Sequence, residues 1–343
     1  MTIIPIKKRH WLLYNILFLL EHFLGRKKFL KVFASVEKRL INKVQNYSPD
    51  FFKPSGFKII DLQKGEYTEP YMDKQFPVVF RGAAVDWECC KEWNLDFFAT
   101  EYGDYEVTMQ DNVGVTDRDN PQTYSHMKMS EYIKELKSGS KRYLKFSRVI
   151  NDMKILEKYF KTDWLAKFKR SFAFSNTYYF FIGGKDTKTP IHDGYAGTVF
   201  IQVEGYKKWI FYAPEDRFFL GVRPERRSYY YSNANPYNLD DPEFPLLKHA
   251  QRHEITLGPG DVLWFAPLIF HQVENLTDSI GVAYKFVDIP LSFYSSKVLA
   301  SMFYFSTKPS IFTMFVGNRT EKNDYIFVKD KEEFKLKIED KIR

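Results

Sequence analysis

Cysteine is scarce in this chain of 343 residues, which contains only Cys89 and Cys90. Neighbouring cysteines rarely bond to each other, and two thiols at one point of a chain cannot crosslink distant segments. The sequence therefore excludes a disulfide-stabilised secreted scaffold, and we expect a reducing, cytoplasmic compartment.

Long hydrophobic runs are also missing. Residues 11–20 form an apolar run that is too short to span a bilayer, and no small-residue cleavage site follows it. Apolar side chains recur there at helical spacing, at Leu13, Ile16, Leu17, Leu20 and Leu24. Two interpretations remain. The helix packs on the main domain or on a second copy in a homodimer, or it lies in a membrane surface.

Acidic residues are too few to balance the basic ones, and the net charge is +8. Much of the excess lies near the N-terminus, at Lys7, Lys8, Arg9, Arg26, Lys27, Lys28 and Lys31. Elsewhere the basic residues alternate with acids, and no stripe of basic and aromatic residues occurs. This pattern favours an anionic surface or substrate over nucleic acid as the partner.

Apolar and aromatic residues are abundant, at 44% and 18% of the chain. Such a composition supports a large core and suits a β-rich fold. From residue 174 onward, short β-branched and aromatic runs alternate with glycine and proline turns, which is typical of a sandwich or barrel. We therefore predict a mainly β fold with helical additions (α+β). It would have an N-terminal helical segment (1–50), a β-rich domain (51–290) and a C-terminal helical extension (291–343).

Two of the seven histidines occur in informative contexts. His192 follows a Thr-Pro turn and precedes a strand-like run, and His271 follows a Gly-Pro-Gly-Asp turn at residues 258–261. Two histidines and one carboxylate beside barrel strands form the usual ligand set of non-haem Fe(II) oxygenases. Together, the two contexts predict a metal site.

Several segments resemble the JmjC or cupin-like oxygenases, particularly the asparaginyl-hydroxylase-like branch. They are Phe80-Arg81-Gly82, Thr189-Pro190-Ile191-His192, Gly205 to Trp209, and Gly258 to His271, within a region of about residues 57–290. The resemblance implies a double-stranded β-helix (cupin, or jelly-roll, fold) that uses Fe(II), 2-oxoglutarate and O₂. It also implies hydroxylation of an unactivated C–H bond, with release of succinate and CO₂.

The resemblance assigns roles to individual residues. His192 and His271 would be the iron histidines, and Lys207 would grip the distal carboxylate of 2-oxoglutarate. Thr189 and Tyr143 would support the same carboxylate with their hydroxyl groups. This set is chemically reasonable, because a buried dicarboxylate needs a cation and hydrogen-bond donors.

The chain departs from the family pattern at the carboxylate ligand. The family has an acid two residues after the first histidine, whereas this chain has Gly194 there and its acid, Asp193, one position earlier. Consecutive strand residues point to opposite faces, so a regular strand would turn Asp193 away from the metal. Three outcomes remain open. A bulge restores Asp193 as the third ligand, Gly194 leaves a coordination position for chloride in a halogenase, or the domain is a non-catalytic binding protein.

The substrate class is only weakly indicated. The family acts on proteins, nucleic acids and small molecules. The aromatic insertion around Tyr229 and the apolar chain ends suggest an apolar or lipid-like small molecule, or a protein substrate at a membrane.

Overall fold

The computed structural model describes residues 6–24, 26–47, 56–111, 123–223 and 230–305, and only the backbone of residues 26–30. Its α-helices are α1 (Lys8–Leu24), α2 (Arg26–Val44), α3 (Glu88–Glu92), α4 (Leu95–Glu101), α5 (Met129–Lys137), α6 (Val149–Asp152), α7 (Thr162–Ala166), α8 (Ile289–Ser295) and α9 (Lys297–Tyr304). Tyr229 and the residues beyond 305 lie outside the described part, so the predictions for them stay predictions.

The strands are β1 (Ile60–Leu62), β2 (Val78–Phe80), β3 (Glu106–Gln110), β4 (Tyr124–Lys128), β5 (Tyr143–Ser147), β6 (Phe174–Gly183), β7 (Lys188–His192), β8 (Gly197–Glu204), β9 (Lys207–Tyr212), β10 (His253–Leu257), β11 (Val262–Phe265), β12 (Phe270–Asn275) and β13 (Ser279–Val287). One sheet has nine strands in the order β1-β2-β11-β8-β13-β6-β5-β3-β4, and the other has four in the order β10-β9-β12-β7. The predicted mainly β fold with helical additions is confirmed.

The two sheets pack against each other through aromatic side chains. Phe200 of β8 meets Trp209 of β9 with ring centroids 4.9 Å apart, and Trp209 lies 5.6 Å from Phe265 of β11. We call the sides of the sheets that face each other the interior face. Because strand side chains alternate, Lys207, Trp209 and Phe211 share this face, whereas Lys208 points outward.

Two segments singled out in the sequence are joined by one ionic contact. Arg81, just after β2, donates a 2.7 Å hydrogen bond to the Asp261 carboxylate in the turn before β11. The other oxygen of Asp261 accepts from the backbone N–H of Gly82 at 2.9 Å. These bonds fix the turn at the edge of the large sheet, so Asp261 is a structural residue.

Side-chain N-caps begin helices α4 and α8. Asn94 caps α4 by accepting a hydrogen bond from the backbone N–H of Phe97, as a helix N-cap does. Asp288 caps α8 in the same way and also receives a 2.6 Å hydrogen bond from Arg170. That ion pair ties the C-terminal helices to the loop before β6.

Helix α1 packs on the domain, but not through the stripe that the sequence suggested. Its buried side chains include Tyr14 and Phe18, which contact Phe218 and Tyr230 at ring distances of 4.7 and 6.2 Å. The apolar residues at helical spacing on another face are exposed: Leu13, Ile16, Leu20 and Leu24. The aromatic face docks because it surrounds the buried guanidinium of Arg217.

Within the described residues, no helix has the length and apolar character that crossing a membrane requires.

Gly205, in the turn between β8 and β9, is tightly constrained. Gly205 has φ +72°, and a Cβ there would lie 2.0 Å from the carbonyl oxygen of Asp278. We expect Gly205→Ala to lower the free energy of unfolding by about 1–3 kcal/mol from backbone strain alone. The clash with Asp278 adds to this loss. Urea denaturation measures the change.

Gly139→Ala is the matched control, because Gly139 also has a positive φ, +93°, but a Cβ there would meet nothing within 4 Å. The control should lose less stability than Gly205→Ala. Equal losses would show that the turn yields easily and does not fix the start of β9.

Candidate functional site

His192 and His271 lie directly opposite each other where β7 pairs with β12. Their ring centroids are 4.3 Å apart. The Nδ1 atoms contact the carbonyl oxygens of Pro190 and Ile269 at 2.8 and 3.0 Å. A carbonyl oxygen only accepts hydrogen bonds, so each Nδ1 carries the proton and each Nε2 carries the lone pair. The pair is therefore set up to bind through Nε2.

The environment keeps both imidazoles neutral. Burial lowers the pKa of His192 to about 4 and that of His271 well below its usual range. His271 lies among aromatic rings, with Phe265 at 4.8 Å and Trp209 at 5.6 Å. Neutral imidazole is the form that binds metal ions.

A bulge places Thr189 on the same face as the histidines. The register runs from the His271–His192 pair to the Val273–Thr189 pair, so β7 uses one residue more than β12. Directly paired residues share a face, and so do residues two apart on a strand. Thr189 therefore points to the interior face with His192, as the resemblance requires of a cosubstrate residue.

The structure places Asp193 in a different contact. One carboxylate oxygen accepts a 2.6 Å hydrogen bond from the backbone N–H of Tyr230, and the Asp193 N–H donates to the Tyr230 carbonyl at 2.9 Å. The other oxygen is buried and has no hydrogen-bond partner among the residues that the structure describes. Burial raises the pKa of Asp193 to about 7. This carboxyl group holds the segment that begins at Tyr230 against the end of β7.

Throughout the described ranges, no third histidine, cysteine, aspartate or glutamate joins two others in a group suited to a metal ion. Asp193, the candidate third ligand, thus does not complete the histidine pair in this structure.

Gly194 stands where the resemblance to the cupin-like oxygenases places the acid. Its carbonyl oxygen accepts a hydrogen bond of 2.6 Å from the Leu268 N–H, which fixes the backbone. A Cβ on Gly194 would meet no atom of the described residues within 4 Å. The chain therefore has space for a side chain there and does not use it.

Lys207 lies at the other end of the same interior face. Its side chain is 1% exposed, and Nζ donates a 3.2 Å hydrogen bond to the hydroxyl of Tyr143. Burial lowers the pKa of Lys207 to about 7, and no described carboxylate opposes that effect. A buried ammonium without an anion is costly, and a bound carboxylate would offset the cost.

Three polar residues that sequence reasoning missed extend this end of the site. Asn275 forms a hydrogen bond with Tyr143, donates to Thr187 at 2.7 Å and accepts from Ser279 at 2.8 Å. Asn275 also pairs with Lys207 across β12 and β9. Its position four residues after His271 on the same strand was a usable signal, because such residues share a face.

Two further lysines point to the interior face and were also missed. Lys145 on β5 lies 5.4 Å from the Tyr143 ring, and Lys285 on β13 lies 5.3 Å from the Phe146 ring. Burial lowers the pKa of Lys145 to about 7 and that of Lys285 to about 8. Sequence reasoning could not find them, because charged residues on strands usually face solvent.

The site thus has two chemical ends. Two neutral imidazoles suit a transition metal such as Fe(II), and a buried lysine with hydroxyl and amide neighbours suits a carboxylate. The residues present fit a metal and a dicarboxylate together, with two protein ligands for the metal instead of three.

Comparisons with known proteins identify the family to which the chain belongs. Residues 64–309, more than half of the chain, match the family model described as "Cupin-like domain". The mouse "2-oxoglutarate and iron-dependent oxygenase JMJD4" is 26% identical over 264 residues, which cover 68% of this chain and 60% of that protein.

Two other relatives match over different lengths. The Arabidopsis thaliana "Arginine-specific demethylase JMJ20" is 24% identical over 266 residues, covering 66% of this chain and 56% of the relative. Human "HSPB1-associated protein 1" is 39% identical over 98 residues, covering 28% of this chain and 20% of the relative. The chain spans less than two thirds of each of these proteins. From the jelly-roll sheets, the paired histidines and the family match, we conclude that this chain belongs to the cupin-like domain family.

Proposed function

We propose that this protein is an Fe(II)- and 2-oxoglutarate-dependent oxygenase that hydroxylates an unactivated C–H bond. The observation that carries the proposal is the arrangement on β12. This strand pairs His271 with His192 at one end and Asn275 with Lys207 at the other. A metal end and a carboxylate end therefore face the same interior space.

His192 and His271 would hold the iron. Their Nδ1–H groups are bound to backbone carbonyls, which orients the rings before metal arrives. Such outer hydrogen bonds fix the tautomer and increase the basicity of the ligand nitrogen. The rings need no deprotonation at neutral pH, because burial holds both pKa values below the usual range.

Lys207 would bind the distal carboxylate of 2-oxoglutarate, and Tyr143 would hold the lysine ammonium by its hydroxyl. Thr189, on the same face as His192, would donate a further hydrogen bond. The four strand steps from His271 to Asn275 correspond to roughly 13 Å.

When bound, iron and 2-oxoglutarate supply the oxidising chemistry, in which O₂ is consumed and the cosubstrate is converted to succinate and CO₂. The protein supplies position and access. The aromatic residues around His271 exclude water from one side of the metal end. The mouse relative carries both cofactors in its name, which supports the assignment.

The space at Gly194 favours a second candidate reaction, halogenation, with chloride bound at the coordination position that lacks a carboxylate. The relatives named above include no halogenase, and we place hydroxylation first.

Anaerobic titration of Fe(II) and 2-oxoglutarate, followed by visible absorption, tests the main proposal. We expect a metal–2-oxoglutarate charge-transfer band in the wild-type protein. His192→Ala and His271→Ala should each abolish the band. Lys207→Met should raise the 2-oxoglutarate concentration for half-saturation by at least about tenfold, because a charge-assisted contact contributes about 1.5–3 kcal/mol. Absence of any band in the folded wild type would refute the oxygenase assignment.

Lys208→Met is the matched control, since Lys208 is the next residue on β9, points outward and lies 3.8 Å from both Glu254 and Glu274. It should leave the band unchanged.

Burial holds the pKa of Lys207 at about 7, below the usual lysine value of 10.5. The charged form therefore destabilises the fold most below pH 7, and the penalty fades between pH 7 and 10.5. Lys207→Met should thus raise the melting temperature of the ligand-free protein at pH 7, which separates lost binding from misfolding.

Asp193→Asn tests whether the displaced acid is a metal ligand. The amide oxygen can still accept from the Tyr230 N–H, so the fold should persist while the negative charge is removed. We expect Fe(II) affinity to remain within about threefold of wild type. Gly194→Asp, which places a carboxylate in open space, should instead tighten Fe(II) binding. Loss of iron by Asp193→Asn would show that Asp193 turns to the metal on binding.

The same Gly194→Asp variant distinguishes the two reactions. If halogenation is correct, added chloride should shift the band of the wild type and have no effect on Gly194→Asp. A chloride-independent wild-type band supports hydroxylation.

We further propose peripheral association with anionic membranes through α1. The exposed apolar residues of α1 are Leu12, Leu13, Ile16, Leu20, Phe23 and Leu24. Exposed basic residues lie at the start of this helix, at Lys7, Lys8 and Arg9. An apolar face beside basic residues is typical of a helix that lies in a lipid surface.

Flotation with phosphatidylserine liposomes tests this membrane proposal. We expect wild-type protein to float at low salt, and Ile16→Glu combined with Leu20→Glu to abolish flotation. Phe172→Glu, which alters an exposed aromatic residue on the loop before β6, should float like wild type. If this face instead binds a second copy of the chain, the wild type would fail to float, light scattering would show a dimer, and the double variant would be monomeric. That result would contradict the membrane proposal.

A further inference from the structure

Two lysines remain on the interior face after Lys207 is assigned to the cosubstrate. Lys285 on β13 pairs with Thr198 of β8, and Thr198 pairs with Phe265 of β11. The ring of Phe265 lies 4.8 Å from that of His271. Directly paired residues share a face, so Lys285 stands in one cross-strand row with the wall of the metal end.

Lys145 reaches the same space from β5. It follows Tyr143 by two residues, and its Nζ lies 5.4 Å from the centroid of the Tyr143 ring, to which Nζ of Lys207 lies at 5.7 Å. The register of β5 shifts between Leu144 and Ser147, and Phe146 has φ +57°. Such a bulge lets consecutive residues share a face.

Phe146 contacts one of the two lysines and follows the other in the chain. Its ring is 5.3 Å from Nζ of Lys285, and it is the chain neighbour of Lys145. Phe146 also packs on Tyr179 and Phe181, at ring distances of 5.5 and 5.1 Å. The ammonium groups therefore lie against an apolar, aromatic wall.

Neither lysine has an acidic partner among the residues that the structure describes. Desolvation is the sole influence on the pKa of each group, and it lowers both. Both ammonium groups act electrostatically on His192, and Lys285 also acts on His271. Both amino groups thus act on the histidine pair, and no carboxylate among the described residues neutralises them.

Lys145 and Lys285 determine the net charge of the site when metal and cosubstrate are bound. A divalent metal and a dicarboxylate cancel each other, and Lys207 neutralises part of the dicarboxylate. Gly194 removes the carboxylate that would otherwise offset the metal. Lys145 and Lys285 then leave the substrate side of the site positive, in a medium where charges interact more strongly than in water.

We propose that Lys145 and Lys285 bind an anionic group of the substrate, a carboxylate or a phosphate, beside the histidine pair. The proposal rests on the proposed oxygenase function and names the substrate class of that site. A lysine or arginine side chain would be repelled there, whereas an anion would form charge-assisted hydrogen bonds with the ammonium groups, and these bonds would offset its loss of hydration. The aromatic wall would receive the apolar part of the substrate next to the charged group.

Isothermal titration calorimetry with capped amino acids tests the charge preference. The protein is loaded anaerobically with Fe(II) and 2-oxoglutarate, so that no turnover occurs. The probes are the N-acetyl, N-methylamide derivatives of aspartate, phosphoserine, methionine and lysine. We expect the aspartate or the phosphoserine probe to bind at least tenfold more tightly than the lysine probe. Which of the two binds better distinguishes carboxylate from phosphate.

Substitutions assign the preference to the two lysines. Lys145→Met and Lys285→Met should each weaken binding of the anionic probe about tenfold, which corresponds to about 1.4 kcal/mol. Lys285→Arg keeps the charge and should retain most of the affinity. Lys141→Met is the control, because Lys141 is exposed and donates to the carbonyl of Lys185 outside this face.

The outcomes separate this proposal from the function on which it rests. Equal affinity for all probes, or preference for the lysine probe, overturns it. It is also overturned if Lys145→Met and Lys285→Met weaken 2-oxoglutarate binding and leave the anionic probe unaffected. The probe titrations are repeated without iron and cosubstrate. An absent charge-transfer band refutes the oxygenase, whereas absent discrimination in both states refutes the anion site.

Discussion

The pairing of β12 with a strand on each side is the constraint on which the rest of the site depends. On one side the pairing sets His271 against His192, and on the other it sets Asn275 against Lys207. Backbone hydrogen bonds fix these registers, and a slip by one residue would turn every side chain of the strand to the other face. The bulge in β7 is the local adjustment that keeps Thr189 and His192 on the same side.

Burial of positive charge is the price of this arrangement. Lys145, Lys207 and Lys285 all point to the interior face, and burial lowers the pKa of each. Stability alone would favour apolar residues at these positions, because an ammonium without a counter-ion is expensive to desolvate. Aromatic rings lie against these groups. Anions bound as proposed would offset the unfavourable electrostatic free energy.

The displaced acid shows how a small change in sequence alters the role of a residue. Asp193 is one position from where the family has its carboxylate, and its side chain secures the backbone of Tyr230. Gly194, at the family position, leaves open space. Side chains alternate between the two faces of a strand, so the neighbouring positions 193 and 194 face different surroundings. This alternation explains both the contact of Asp193 and the space at Gly194. The histidines are unaffected, since their register comes from β12.

The sequence by itself determined the β-rich fold, the run of short strands from residue 174 onward, and His192, His271, Lys207, Thr189 and Tyr143 as candidate site residues. Short-range patterns carry that information, since alternation, turn residues and caps act over a few positions. Only the tertiary structure decided which residues from distant strands share a face: Asn275, Thr187, Lys145 and Lys285 join the site through pairings across the sheets. It also decided that α1 docks through Tyr14 and Phe18 and leaves its leucine face exposed. Neither result could be read from the sequence, because each depends on what lies opposite a residue and not on its chain neighbours.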